Sequence, residues 1–221
     1  MSGSFLSDVP AAGVAPRLVS LDAYRGATML LMASEIMHVP QTLKKLDAYA
    51  GSPTLQFAVR QLEHLPWAGC VLWDMIQPSF MFMVGVALPF SIASRLARGH
   101  TFGRMFPHAL WRSLLLVALG IFLRSVGRPM TNFTFEDVLT QIGLGYPFLF
   151  ALGFVRPRWQ WAAAGLILVA YWLAFAAFSA PGPDFDYPAV GVPMNWPEHY
   201  TGFASHWNKN SNFAADAELW F

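Results

Sequence analysis

The chain has 221 residues, of which 55% are hydrophobic and 12% charged. Soluble domains carry about 25% charged residues, and a soluble chain this apolar would expose large aggregating patches, so a polytopic membrane protein is expected. A net charge of +1 leaves no basic footprint for nucleic acid, and the single cysteine, Cys70, excludes an intrachain disulfide framework and any multi-cysteine metal site. Nine tryptophans and a mean hydropathy of +0.41 suit aromatic belts at two water interfaces.

The first residues are rich in Ser, Ala, Gly and Pro and lack the basic-then-apolar order of a cleaved signal. Residues 1–17 are therefore expected to form a cytoplasmic tail, with the first apolar helix as an uncleaved anchor. A hydrocarbon core of about 30 Å needs roughly 20 apolar residues in a helix. Five segments meet or approach that length: 18–39, 70–93, 107–126, 135–155 and 160–180. Pro107 suits the first turn of the third. Thr134, followed three residues later by Asp137, suits a capping-box-like start for the fourth. No stretch alternates with period two over ten residues, which argues against a β-barrel. The expected fold class is all-α, a transmembrane bundle of about five helices.

Lys and Arg in short loops set orientation. Arg95, Arg98, Arg104 and Arg112 flank the second-to-third loop, and Arg156 and Arg158 the fourth-to-fifth. Both loops lie on the side of Arg17, so the N-terminus is placed in the cytoplasm. Residues 40–69, including His64, then face outward, as do residues 181–221. The sequence stops in the aromatic patch Leu219-Trp220-Phe221 without a polar tail, which suggests a piece of a longer protein.

Polar residues inside or beside these apolar runs are candidates for chemistry. Burying a carboxylate in hydrocarbon costs several kcal/mol unless it has a partner or a job. Asp74 lies about one turn into the second segment, sharing a face with Gln77, Pro78 and Met81. It could orient His64 or pair with Arg25; the topology separates it from Arg25 and favours His64. An imidazole at this interface can serve as general base or nucleophile, or simply anchor the loop. Glu35 and His38, one turn apart near the outer end of the first helix, approach the depth of His64. Together they could ligate zinc, but no HExxH spacing is present and no metal is expected. Arg95, Arg98 and Arg104 are either the positive-inside signal or a mouth for a phosphate-bearing cofactor. Asn208 and Asn210, flanked by Trp196 and Trp207, could bind a sugar or belong to a folded loop without a ligand. Walker, GxGxxG and GxSxG motifs are absent, which removes support for nucleotide-binding and serine-hydrolase readings.

Taken together, RLVSLDAYRGATMLLM, then HLPWAGCVLWDMIQPSFMFMVG, then a basic loop and a third helix resemble the heparan-α-glucosaminide N-acetyltransferase family of transmembrane acyltransferases. FTFEDVLTQIGLGYPFLF and WNKNSNFAAD extend the resemblance to bacterial members with a domain of unknown function. The resemblance implies transfer of acetyl from cytoplasmic acetyl-CoA to an amino sugar or other glycan acceptor across the membrane. It implies a catalytic histidine in an H-x-x-W-x-G pattern, here His64 with Trp67 and Gly69, followed by Asp74 and Pro78. Lysosomal members carry an asparagine near the end of the first helix, where this sequence has Ile36 beside Glu35. Members have about twice as many helices, so residues 18–180 are expected to be the N-terminal part of an acyltransferase-like domain.

The expectation is thus a multi-pass enzyme of a bacterial inner membrane that uses acetyl-CoA as co-substrate. His64 and Asp74 are its catalytic residues. Arg95, Arg98 and Arg104 meet the cofactor, and Trp67, Glu35, Asn208 and Asn210 meet the acceptor. The partners are acetyl-CoA, a glycan and the bilayer, and a homodimer is allowed. The competing readings are half of a proton-coupled transporter or permease, with Asp74, Glu35 and His38 lining its path, and a non-catalytic assembly subunit.

Overall fold

The computed structural model describes residues 18–219, so the expected tail 1–17 and the aromatic end at 220–221 lie outside the described residues. The described residues contain helices and turns and no strand, in keeping with the all-α expectation. They divide into two compact units, one ending at Val155 and one beginning at Arg156.

In the first unit, α1 (Val19–Ile36) ends where His38 adopts a left-handed backbone, φ 52°. Pro40, in the first turn, then fits a fresh start, α2 (Val39–Lys44). A third short helix, α3 (Pro53–Gln61), begins at Ser52, whose hydroxyl accepts the Leu55 N–H at 3.3 Å. The stretch 40–69, read from the sequence only as a long loop, therefore holds two helices. A 3₁₀ turn, Trp73–Met75, leads into α4 (Ile76–Ala97).

α5 (Phe102–Ser125) starts five residues before the expected Pro107, which lies inside the helix. Pro107 removes one backbone hydrogen bond there, and the flanking turns continue regardless. α6 (Val138–Leu152) is capped by Asp137, whose Oδ1 accepts N–H groups of Leu139 at 2.9 Å and Thr140 at 3.0 Å. Thr134 is not the cap; its hydroxyl accepts from Arg124 at 3.1 Å.

α5 packs most extensively against α6 because glycines bring their backbones together. A Cβ at Gly120 would stand 2.5 Å from Thr140 Cγ2, and one at Gly143 would stand 2.9 Å from the Ser113 carbonyl. The Ser113 hydroxyl uses that approach to donate to the Gly143 carbonyl. Leu88, Ile92, Met105, Ala109 and Phe150 form the core where α4, α5 and α6 meet.

The second unit contains α7 (Pro157–Ala177), which begins three residues before the expected 160 because Pro157 serves as a first-turn residue. Trp172 and Phe175 of α7 pack against Trp207, with Phe175 and Trp207 stacked 6.2 Å apart. The short α8 (Phe213–Glu218) is capped by Asn212, whose side-chain oxygen accepts the Ala215 N–H at 3.1 Å.

Among the described residues, three helices are long and apolar enough to cross a membrane: Trp73–Ala97, Phe102–Ser125 and Pro157–Ala177. α6, with 15 residues, reaches about 22 Å. α1 has 18 residues but carries Asp22, Arg25 and Glu35 among them. The architecture is a helical membrane bundle.

Candidate functional site

The site is built on the turn that opens α4. Val71, Trp73 and Ile76 are buried together, with Leu31 of α1, Leu65 and Phe80 packed around them. This apolar footing fixes the turn and leaves Asp74 at its surface, with a side chain 27% exposed. Gly69 makes the approach feasible. Its φ of +110° is a backbone conformation that favours glycine, and a Cβ there would meet only the tip of the Leu65 side chain, 2.6 Å from Cδ1.

His64 returns across this turn to meet Asp74. Its Nδ1 stands 2.6 Å from Asp74 Oδ1, and Asp74 Oδ2 accepts the Val71 N–H at 3.1 Å. The expected partnership of these two residues is present. The other ring nitrogen is also engaged: the indole N–H of Trp73 donates to His64 Nε2 at 2.7 Å, with the rings edge-on at 87°. An indole nitrogen only donates, so Nε2 must carry a lone pair, and the Nδ1 hydrogen must point to Asp74. The arrangement is a neutral imidazole held in one tautomer by two partners, the form a general base or nucleophile needs. Trp73 is 6% exposed whereas the His64 side chain is 70% exposed, so the imidazole is the partner free to leave.

A cavity of about 530 Å³ opens beside His64, walled by α2 and α3. A second, of about 300 Å³, runs along α4 from Phe80 to Ser91 and is closed by Arg25, Arg112 and Tyr146. Arg112 lies over the Tyr146 ring at 5.6 Å. Arg112, read from the sequence only as a loop charge, lines this cavity while remaining solvent-exposed.

Trp67 lies on the loop three residues after His64, 38% exposed. Glu35 is exposed on the last turn of α1, and neither it nor His38 lines either cavity. Arg95, Arg98 and Arg104 flank the far end of α4; Arg98 is about 35 Å along the helix from Asp74. Arg98 folds onto its own helix, donating to the Ser94 carbonyl at 3.1 Å and hydroxyl at 3.2 Å.

In the second unit, Asn208 is 2% exposed. Its amide donates to Tyr187 Oη at 2.9 Å and the Tyr200 carbonyl at 3.1 Å, and its oxygen accepts the Tyr200 N–H at 2.7 Å. Asn210, at φ 55°, donates to the Val190 carbonyl at 2.8 Å. These two amides, expected at a sugar, make their hydrogen bonds within their own unit. Among the described residues, no group of three or more His, Cys, Asp or Glu is arranged to hold a metal ion.

Fold and site together define a helical membrane protein with a histidine–carboxylate pair at the mouth of one of its long apolar helices. In sequence the chain is related to the heparan-alpha-glucosaminide N-acetyltransferases. It is 31% identical over 108 residues to the Homo sapiens protein of that name, across 49% of this chain and 14% of that protein. The Mus musculus protein of the same name is 28% identical over 109 residues, again across 49% of this chain. The matched stretch thus spans 14% of the length of each relative. No family model matches the sequence.

Proposed function

We propose that the chain is part of a membrane-bound acetyltransferase that moves acetyl from acetyl-CoA on the cytoplasmic side to an amino sugar or related glycan on the other. The observation that carries this reading is the neutral His64 ring, oriented by Asp74 at the end of α4 opposite the basic residues Arg95, Arg98 and Arg104. The name of the relatives supports the reaction class.

The chemistry needs one basic nitrogen. In direct transfer, His64 Nε2 takes a proton from the acceptor amine as the amine nitrogen bonds to the thioester carbonyl carbon. The C–S bond then breaks, and the imidazolium returns the proton to the thiolate. In the two-step route Nε2 attacks the carbonyl first and thiolate leaves; the acceptor amine then displaces the imidazole, and the amine's proton passes by way of the freed Nε2 to the thiolate. Asp74 stabilises the positive ring in either route. Both routes require Nε2 to leave the Trp73 N–H, which an exposed imidazole does by rotating off the buried indole.

The donor's phosphates are assigned to the basic end of α4, and the cavity with Arg25 and Arg112 lies between that end and His64. Residues 181–221 are assigned to the extracytoplasmic side, with the N-terminus in the cytoplasm of a bacterial inner membrane. A transporter path through Asp74, Glu35 and His38 has less support. The Asp74 carboxylate is occupied by His64, and the other two line neither cavity.

The test is incubation of the full-length protein in lipid nanodiscs with labelled acetyl-CoA and a panel of amino sugars. N-acetylated product is expected. Uptake of solute into vesicles that depends on Asp74 and needs no acetyl-CoA would overturn the reading.

A further inference from the structure

The cavity beside His64 has a charge pattern of its own. Lys44, Tyr49, Phe57, Arg60 and Glu63 wall it, and His64 completes it. Glu63 is already committed, accepting from Lys44 Nζ at 2.6 Å. That hydrogen bond holds the Lys44 ammonium above the ordinary lysine value, and the two opposite charges offset one another. Arg60 has no hydrogen-bond or ion-pair partner among the described residues. It stands in the last turn of α3, four residues before His64. The helix dipole favours a cation at that place, but it does not account for a guanidinium turned to the same cavity as the imidazole. The net surplus at this wall is one positive charge.

The walls are set before any ligand arrives. Gln56 of α3 donates to the carbonyls of Tyr49 at 3.0 Å and Ala50 at 3.1 Å, tying the α2–α3 connection to α3. Ser52 caps the same helix at its start. Phe57 is 64% exposed, an aromatic face left open beside polar side chains. Aromatic faces, hydrogen-bonding groups and one uncommitted guanidinium around about 530 Å³ suit a sugar ring bearing a negative group.

Resting on the acetyltransferase reading, we propose that the α2–α3 cavity is the acceptor site and that it selects amino sugars bearing an anionic substituent, a carboxylate or phosphate. Arg60 grips the anion in a forked, charge-assisted pair. Phe57 and Tyr49 flank the ring, and the amino group reaches His64 once the imidazole turns toward the cavity. None of the residues expected at the acceptor, Trp67, Glu35, Asn208 and Asn210, lines this cavity.

The experiment compares D-glucosamine, glucosamine 6-phosphate and 2-amino-2-deoxyglucuronic acid as acceptors with the full-length protein in nanodiscs. One or both anionic sugars are expected to exceed glucosamine in kcat/KM by about ten- to a hundredfold, and the better of the two identifies the anion. In Arg60→Gln that preference is expected to collapse toward unity, mainly through KM. In Arg60→Lys it should return in part, which a merely folded-state defect would not do. Equal use of all three sugars by the wild type, or a preference unchanged in Arg60→Gln, overturns the proposal. If no sugar is acetylated, calorimetric binding of the same three sugars separates the two ideas. Arg60-dependent binding of an anionic sugar upholds the cavity while the reaction fails, and its absence overturns the cavity as well.

Discussion

The segments around His64 and around Asn208 look alike as strings: each sets polar side chains among tryptophans beside an apolar helix. Their structures diverge. At Asn208 every side-chain polar atom is satisfied within the unit, and the residue is 2% exposed. At His64 the ring nitrogens are satisfied too, but the side chain is 70% exposed and borders a cavity. The polar groups are bonded in either case, as burial requires at Asn208. What separates a scaffold from a candidate site is whether a bonded group can reach solvent and exchange its partner.

That contrast can be broken at His64 first. His64→Ala should lower acetyl transfer by about 10²- to 10⁴-fold, the span of a general base, while the protein still inserts and elutes as wild type. Labelled product counted per folded molecule checks this. Asp74→Asn keeps the shape but removes the charge behind Nδ1. A loss of about ten- to a hundredfold in kcat is expected, with the acceptor KM little changed. Steady-state kinetics on the same preparation separate the two constants.

Asn208→Ala should do the opposite. It strands the partners Tyr187 and Tyr200 and should cost about 1–3 kcal/mol of stability, read as a lower thermal midpoint, with transfer per folded molecule preserved. A large loss of turnover at unchanged stability would erase the distinction between the two segments. Trp73→Phe is the mildest change, since it keeps the buried ring and removes only the N–H. Labelling of His64 by diethyl pyrocarbonate should speed up by about two- to tenfold, the worth of one hydrogen bond.

The parts of this picture that were legible in the sequence share a physical cause. Asp74 stood out because a carboxylate in an apolar run needs a partner, and the nearest imidazole supplied it. Asp137 stood out because helix starts need side-chain acceptors, and it does cap α6. The helices α2 and α3 were hidden because neither is long enough to show a period. They are held by one serine cap and the contacts of Gln56. Trp73 carries no signal in the sequence, and only the ring's orientation reveals its N–H as a donor to His64. The bonds of Asn208 were not legible because composition reports amides without reporting their partners.

The central claim is transfer between opposite ends of α4, from a donor at the basic end to an acceptor at the His64 end. Proteoliposomes of defined orientation, carrying glucosamine 6-phosphate and glucosamine inside and labelled acetyl-CoA outside, test it directly. The account predicts labelled N-acetyl sugar inside vesicles whose arginine-rich loop faces out, and none with His64→Ala. Product that forms only when donor and acceptor share one side of the membrane would contradict it.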